Sequence, residues 1–348
     1  MRKLASIQRV VSITPIENAD RIEVAQVLGW KCVVKKGEYK VGDLVIYFEP
    51  DSFLPETEEY EFLRQSGFKD SPLLGRGFKL KTAKLRGQIS QGLLMPTSIL
   101  PENIEIVEGK DVTDELGVKK WEEPEVAGSL GTMIGGRPDF IPKTDETRVQ
   151  SDPKLFEAFT GLEYYITTKM DGTSCSVGVD SGNEVHYTSH NNSLKDDGES
   201  GFIKVVKNKG IPERLLKYKA AHPDVMNITV QGELCGEKIQ KNRLKLLTPQ
   251  WFVFTVIING ERVGLHNMQK VVEYIGADMV PVEEIGTDLT SKYANIESLL
   301  LRAEGMYPKG GQKEGIVIRP VVPIIYEGTG EVLSMKVLNN KYLLKTEE

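Results

Sequence analysis

Thr167-Thr-Lys-Met-Asp-Gly-Thr-Ser174 is the stretch from which the rest of the chain can be read. Apolar and β-branched residues lead into it, and Asp171-Gly172 is turn chemistry, so a strand over 166–169 delivers Lys169 to a turn. A lysine attacks an electrophile only as the free amine, which requires its proton affinity to be lowered by desolvation or by nearby positive charge. A glycine at 172 lets backbone approach a ligand closely. Taken alone the string is weak, because Asp-Gly is a common hairpin turn and a lysine beside it is an ordinary surface residue.

Other residues downstream change that balance. Gln231-Gly-Glu-Leu-Cys-Gly236 ends an apolar strand with a carboxylate at Glu233. Trp251-Phe-Val-Phe254 is aromatic and β-rich, Lys313-Glu-Gly-Ile-Val-Ile-Arg319 sets Glu314 at the head of another strand, and Ser334-Met-Lys-Val-Leu338 carries Lys336. Together they supply a nucleophilic amine, carboxylates for a divalent metal, an aromatic for a base and a second cation for phosphate, which is what nucleotidyl transfer needs. Each of Glu233, Phe254, Glu314 and Lys336, read singly, is an ordinary core or ion-pair residue. Their order after Lys169 is what favours a site.

Outward from the site, residues 137–348 mix strands with helical pieces. Strands are predicted at 166–169, 175–179, 228–232, 252–258 and 315–319, and helical pieces at 155–159 and 202–207. Residues 1–123 read as short strands with glycine turns, namely 21–28, 30–36, 43–48, 77–85 and 91–95, which suits a small β-barrel. The string Leu85-Arg-Gly-Gln-Ile-Ser-Gln-Gly-Leu-Leu-Met-Pro96 resembles the OB barrels that bind tRNA. Charge, proline and glycine between 118 and 136 predict a linker, bounded at 124–136. The fold class is therefore α+β: an OB-like barrel, then antiparallel sheets flanked by helices.

Composition bounds the class of function. The 348 residues are 40% hydrophobic and 27% charged, with a net charge of -6. The longest apolar run, Trp251 to Ile258, is far short of the ~20 residues a bilayer span needs. No secretory leader is evident and the three cysteines show no pairing pattern, so a soluble intracellular protein is expected, without a membrane partner. Basic residues gather in three places: Arg64, Lys69, Arg76, Lys79, Lys81, Lys84 and Arg86; Lys204 to Lys219; and Lys238, Lys241, Arg243 and Lys245. In an acidic chain such segregation suits a phosphate backbone, although each cluster read alone is as readily a solvated face.

The ordered set of strings resembles the covalent nucleotidyltransferases: DNA ligases, RNA ligases and mRNA capping enzymes. Within them it is most similar to template-directed RNA ligases with an N-terminal OB domain, the Naegleria and Deinococcus type, and the resemblance covers nearly the whole chain. It implies an ATP-dependent enzyme using magnesium or manganese, acting on RNA or an RNA-containing nicked duplex. By the same resemblance Lys169 accepts AMP, with Thr168, Met170 and Gly172 beside the nucleotide. Glu233 contacts ribose or metal-bound water, Phe254 stacks on adenine and Lys336 contacts the α-phosphate. Asp171, Glu233 and Glu314 hold the metal mainly through water. Phe140-Ile-Pro-Lys-Thr-Asp-Glu-Thr-Arg-Val-Gln150 looks like the family's entry segment, which offers Arg148 and Gln150 to nucleotide or nick. Ser189-His-Asn191 stands where the family has Ser-Arg-Asn, so His190 and Asn191 are offered to the nucleotide. Thr255 and Leu338 also depart, from related phage ligases that carry aspartate at the first position and from some relatives that carry lysine at the second.

Overall fold

The computed structural model describes residues 2–122 and 130–346. Residues 123–129, which include the first half of the predicted linker, lie outside that description. The chain divides into two compact units. One comprises Met1–Pro124, Gln150–Pro153 and Leu343–Glu348, the other Glu125–Val149 and Lys154–Tyr342.

The first unit is built of short antiparallel ladders. Leu44–Phe48 is flanked by Ala5–Arg9 and Leu93–Pro96, and a meander runs through Ser12–Pro15, Ile22–Val27 and Trp30–Lys35. Two apolar clusters fill it, one around Trp30, Val27 and Tyr47, the other around Ile7, Ile46, Phe48 and Phe78. The strand expected over 77–85 is broken in two, Gly75–Lys79 and Thr82–Leu85, on different ladders. The tract read as linker is partly strand at both ends. Lys119–Lys120 pairs with Ser52–Pro55, and Met133–Gly136 pairs with Asn192–Leu194. Backbone pairing at a sheet edge needs no apolar side chain, so charge and glycine did not disclose it.

In the second unit two sheets, each with helices on one face, carry the residues of interest. The larger is ordered Met133–Gly136, Asn192–Leu194, Val185–Thr188, Thr173–Val179, Ile228–Cys235, Gln250–Ile258, Glu261–Arg262. Helices Gly201–Asn208, Ile211–Ala221 and Leu265–Ile275 cover it through Phe202, Val206, Leu215, Met268 and Val272. The smaller is ordered Thr147–Arg148, Met335–Leu338, Gly315–Pro320, Tyr164–Lys169, Val282–Gly286. Its covered face buries Tyr164, Ile166, Ile316, Ile318, Met335 and Val337 against residues of helices Leu289–Lys292 and Ile296–Ala303.

Strand alternation then assigns the other face. Thr167, Val317, Lys336 and Arg148 form one cross-strand row, and Lys169 lies two residues beyond Thr167 on the same side. A third small cluster, Met170, Cys235, Leu244, Val280 and Tyr307 with Phe252 and Phe254 at its margin, draws on both sheets. In the larger sheet Gln231 pairs with Thr255 but Gly232 with Val253, so Phe254 is an unpaired bulge residue. A bulge re-aims a side chain. The residues facing the helices are accordingly Trp251 and Val253 before it and Val256 and Ile258 after it.

Candidate active site

Lys169 closes its strand, and its amine lies 2.8 Å from Glu314 Oε1, with 26% of the lysine side chain and 17% of the glutamate side chain exposed. Register pairing stops at Lys169 and Gly315, so Glu314 stands just past the end of the ladder. Gly315 is required there. Its φ is 156°, and a Cβ would stand 2.2 Å from the Val337 carbonyl oxygen. The break in alternation at Gly315 sets Glu314 on the Lys169 side and sends Lys313 to the other. Tyr307 fixes the same corner: its hydroxyl donates to the Lys169 carbonyl at 2.7 Å and accepts from the Glu314 N–H at 3.2 Å.

Glu233 sits in the strand Ile228–Cys235, opposite Ser174. Gly172 touches it so closely that a Cβ would meet the Leu234 carbonyl oxygen at 2.3 Å and the Glu233 Cγ at 2.9 Å. Burial, with Glu314 and Asp171 adding to it, pushes the Glu233 carboxyl up to about 8 despite Lys169. For Lys169, burial alone favours the free amine, but Glu314, then Glu233 and Asp171, hold it above the ordinary lysine value. The direction is opposite to the depressed amine expected from the sequence.

Asp171 is buried, and both its oxygens are engaged: Arg243 donates to Oδ2 at 2.8 Å and the Tyr342 hydroxyl to Oδ1 at 2.9 Å. Arg243 also lies over the Tyr342 ring at 4.4 Å. Asp171, Glu233 and Glu314 do not form a cluster with donor atoms within direct ligand distance of one another. Among the described residues the group that does is Asp180, Glu184 and His186, in a hairpin of the larger sheet.

The remaining candidates are spread around this centre. Met170 is buried in the cluster that Phe254 borders. Phe254 is held by Arg319, which donates to its carbonyl and lies 6.0 Å from its ring centroid. Arg319 in turn pairs with the half-buried Glu146. Lys336 and the buried Arg148 share the Lys169 face. Thr168 turns its hydroxyl the other way, to Glu283 at 2.7 Å. His190 has Nε2 3.9 Å from Asp145, and Asn191 accepts from Lys143 at 3.2 Å. Gln150 is buried and groups with the first unit.

Two family models match the sequence: an OB-fold domain over residues 4–97 and RNA ligase over residues 162–338. Among solved structures, the chain is similar to the Naegleria gruberi RNA ligase with PPi, at 32% identity and TM-score 0.86, covering 99% of this chain and 98% of that one. A mutant of the same enzyme with ATP and Mn gives 32% identity and TM-score 0.88 over 99% and 100%. Another mutant, with AMP and Mn, gives 32% identity and TM-score 0.88 over the whole of both chains. No curated protein matches. The chain belongs to the RNA ligase family. Its fold is that of an N-terminal OB domain followed by a ligase domain of mixed sheets and helices.

Several residues packed around Lys169 and its neighbours carry no sequence signal. Arg243 belongs to a basic run read as possible nucleic-acid surface, yet it is spent on Asp171. Tyr307, Tyr342, Glu283 and Arg319 reach the site from far along the chain. The other basic runs are partly consumed as well: Arg64 and Arg76 pair with Glu56, Lys207 with Asp196, and Lys209 with Asp278. Lys219 is buried, with its ammonium on the 180–183 turn. No described helix is long and apolar enough to cross a membrane.

Proposed function

We propose that this protein is an ATP-dependent ligase that seals 3′-OH/5′-phosphate breaks in RNA-containing duplexes through a covalent lysyl-AMP on Lys169. The observation that carries the reading is the pairing of the Lys169 amine with Glu314, 2.8 Å away, with Glu233 and Asp171 near enough to act on its charge. In the first step Lys169 Nζ attacks the α-phosphorus of ATP, a phosphoramidate bond forms and pyrophosphate leaves. In the second the AMP passes to a 5′-phosphate, and the lysine is released. In the third a 3′-hydroxyl attacks that activated phosphate, a phosphodiester forms and AMP leaves.

The residues suit a divalent cation. The Glu233 carboxyl stays raised, to about 8, even with Lys169 beside it, and with Glu314 it offers hard oxygen donors of the kind magnesium and manganese take. When bound, the cation supplies positive charge that lowers the proton affinity of the amine and offsets charge growing on the phosphate. Glu314 Oε1 is placed to take the proton that leaves Nζ. Glu233 reaches the ribose or the cation's water, Phe254 stacks on adenine beside Met170, and Gly172 admits the nucleotide. Lys336 and Arg148, on the same face, meet the phosphates. Asp171 acts by ordering the turn through Arg243 and Tyr342, and reaches the cation only through water. Backbone at Thr168 and side chains at His190 and Asn191 border the nucleotide. Residues 1–123 form the OB unit and residues 137–348 the adenylyltransferase, joined through 124–136.

The reading is tested by incubating the purified chain with α-labelled ATP and magnesium or manganese. Protein-bound label that survives alkali and is released by acid, as a phosphoramidate is, should appear on the wild type, be absent in Lys169→Ala, and move to nicked duplexes with an RNA 3′ end. Label that persists in Lys169→Ala, or a wild type that takes none, would refute it.

A further inference from the structure

The ladder between Tyr164–Lys169 and Val282–Gly286 skips one residue. Ile166 pairs with Glu284 and Thr167 with Val282, which leaves Glu283 opposite nothing. Because of this bulge, two successive carboxylates turn toward the helix-covered face. Glu284 accepts from the Tyr293 and Tyr164 hydroxyls at 2.9 and 2.5 Å. Glu283 accepts the Thr168 hydroxyl at 2.7 Å, and its two oxygens receive the buried Lys313 ammonium at 2.8 and 3.0 Å. Arg302 closes the cluster at 2.7 Å.

Thr168 and Lys313 are the residues immediately before Lys169 and Glu314. Lys313 and Glu314 both lie beyond the last register pair with Tyr164–Lys169, and on the other side Asn339 holds their backbone, its N–H on the Glu314 carbonyl at 2.9 Å and its Nδ2 on the Lys313 carbonyl at 2.7 Å. In front, Tyr307 ties the backbones of Lys169 and Glu314. Behind, Glu283 ties the side chains of the two preceding residues. We propose that Glu283 is a positioning residue which, from the back of the sheet, links Thr168 to Lys313. It thereby holds the Lys169 amine and Glu314 at the separation adenylyl transfer requires. The proposal rests on the reading of Lys169 as the nucleophile.

Displacing a reacting group by an ångström costs on the order of a hundredfold in rate. Such a loss falls on the chemical step and leaves nucleotide affinity largely alone. The test is the single-turnover rate of AMP attachment to the full-length protein, measured across ATP concentrations together with the melting temperature. Glu283→Ala should lower the saturating rate about 10- to 100-fold, and Thr168→Val, which removes one hydroxyl at constant shape, about 3- to 10-fold. Both should keep the KM for ATP within about threefold of wild type. Glu283→Gln retains an acceptor for Thr168 and should recover most of the rate.

Saturating rates within about twofold of wild type in both Glu283→Ala and Thr168→Val would overturn the proposal. So would a rate loss that tracks KM and a fallen melting temperature and is not rescued by glutamine. If Glu283→Ala does not fold, Thr168→Val decides alone. A wild type labelled on Lys169 with unaffected variants sinks the brace only, whereas an unlabelled wild type sinks the reading of the site itself.

Discussion

Arg243→Met should cost the protein more stability than any single surface change. Asp171 is held by an arginine whose side chain is 12% exposed, against 5% for its own. Stripping the charge from a buried pair leaves its partner uncompensated, at about 3–5 kcal/mol. The Tyr342 hydroxyl remains on the other oxygen, and the arginine keeps some contact with water, which sets the expectation at the lower end, about 3 kcal/mol. A unit of this size loses roughly 2–4 °C of melting temperature per kcal/mol, so the drop should be about 6–12 °C. Tyr342→Phe removes one hydrogen bond to a charged group, about 2 kcal/mol. Because Arg243 also packs on the Tyr342 ring, the double variant should fall short of the sum. Adding Asp171→Asn to Arg243→Met should restore much of the loss, since a neutral amide needs no counter-charge. The assay is thermal unfolding of the nucleotide-free protein by circular dichroism. A melting temperature for Arg243→Met within about 2 °C of wild type would show that Asp171 does not depend on this pair.

Two further outcomes follow from the site. The Glu233 carboxyl is raised in the folded chain, so between its unfolded value near 4.5 and about 8 the unfolded state ionises while the folded one does not. Its contribution to stability is complete below pH 4.5, declines as pH rises, and is fully lost above about 8. Denaturation across that window should show the decline in wild type and a flatter curve in Glu233→Gln, and equal slopes would count against a raised Glu233. Phe254→Ala should raise the KM for ATP in Lys169 labelling by about 5- to 150-fold, the range for losing 1–3 kcal/mol of base stacking, with Phe254→Trp near wild type. An unchanged KM in the alanine variant would remove Phe254 from the nucleotide.

What was legible in the sequence was whatever lies within one strand. Lys169, Glu233, Phe254 and Glu314 sit in apolar strings whose period and flanking glycines announce both the strand and the exposed end. The helix Leu265–Ile275 could have been read too, since Leu265, Met268, Val271, Val272 and Ile275 recur at helical spacing and all are buried. What could not be read was pairing at a distance. Arg243 meets Asp171 across 72 positions and Tyr342 meets it across 171, and nothing local marks either side chain as different from its neighbours. The same holds for charge. A run of lysines and arginines reads as one basic surface, whereas the folded chain distributes its members among carboxylates, carbonyls and rings.

The departures from regular alternation explain why the site falls where it does. A β-sheet with perfect period two gives each strand one buried and one open face, and successive residues can never cooperate on one side. This ligase breaks that rule three times around Lys169. The bulge at Phe254 re-aims an aromatic while keeping Val253 and Val256 in the core. Gly315, at φ 156° with no room for a Cβ, swaps the faces of Lys313 and Glu314. The bulge at Glu283 brings a carboxylate behind both arms of the pair. Each break costs ladder hydrogen bonds or admits a residue with no side chain to pack, so none is favoured by the stability of the sheet alone. They gather around the Lys169–Glu314 pair, which uninterrupted alternation would have set on opposite faces, because Gly315 pairs with Lys169 and Glu314 would then turn to the covered side.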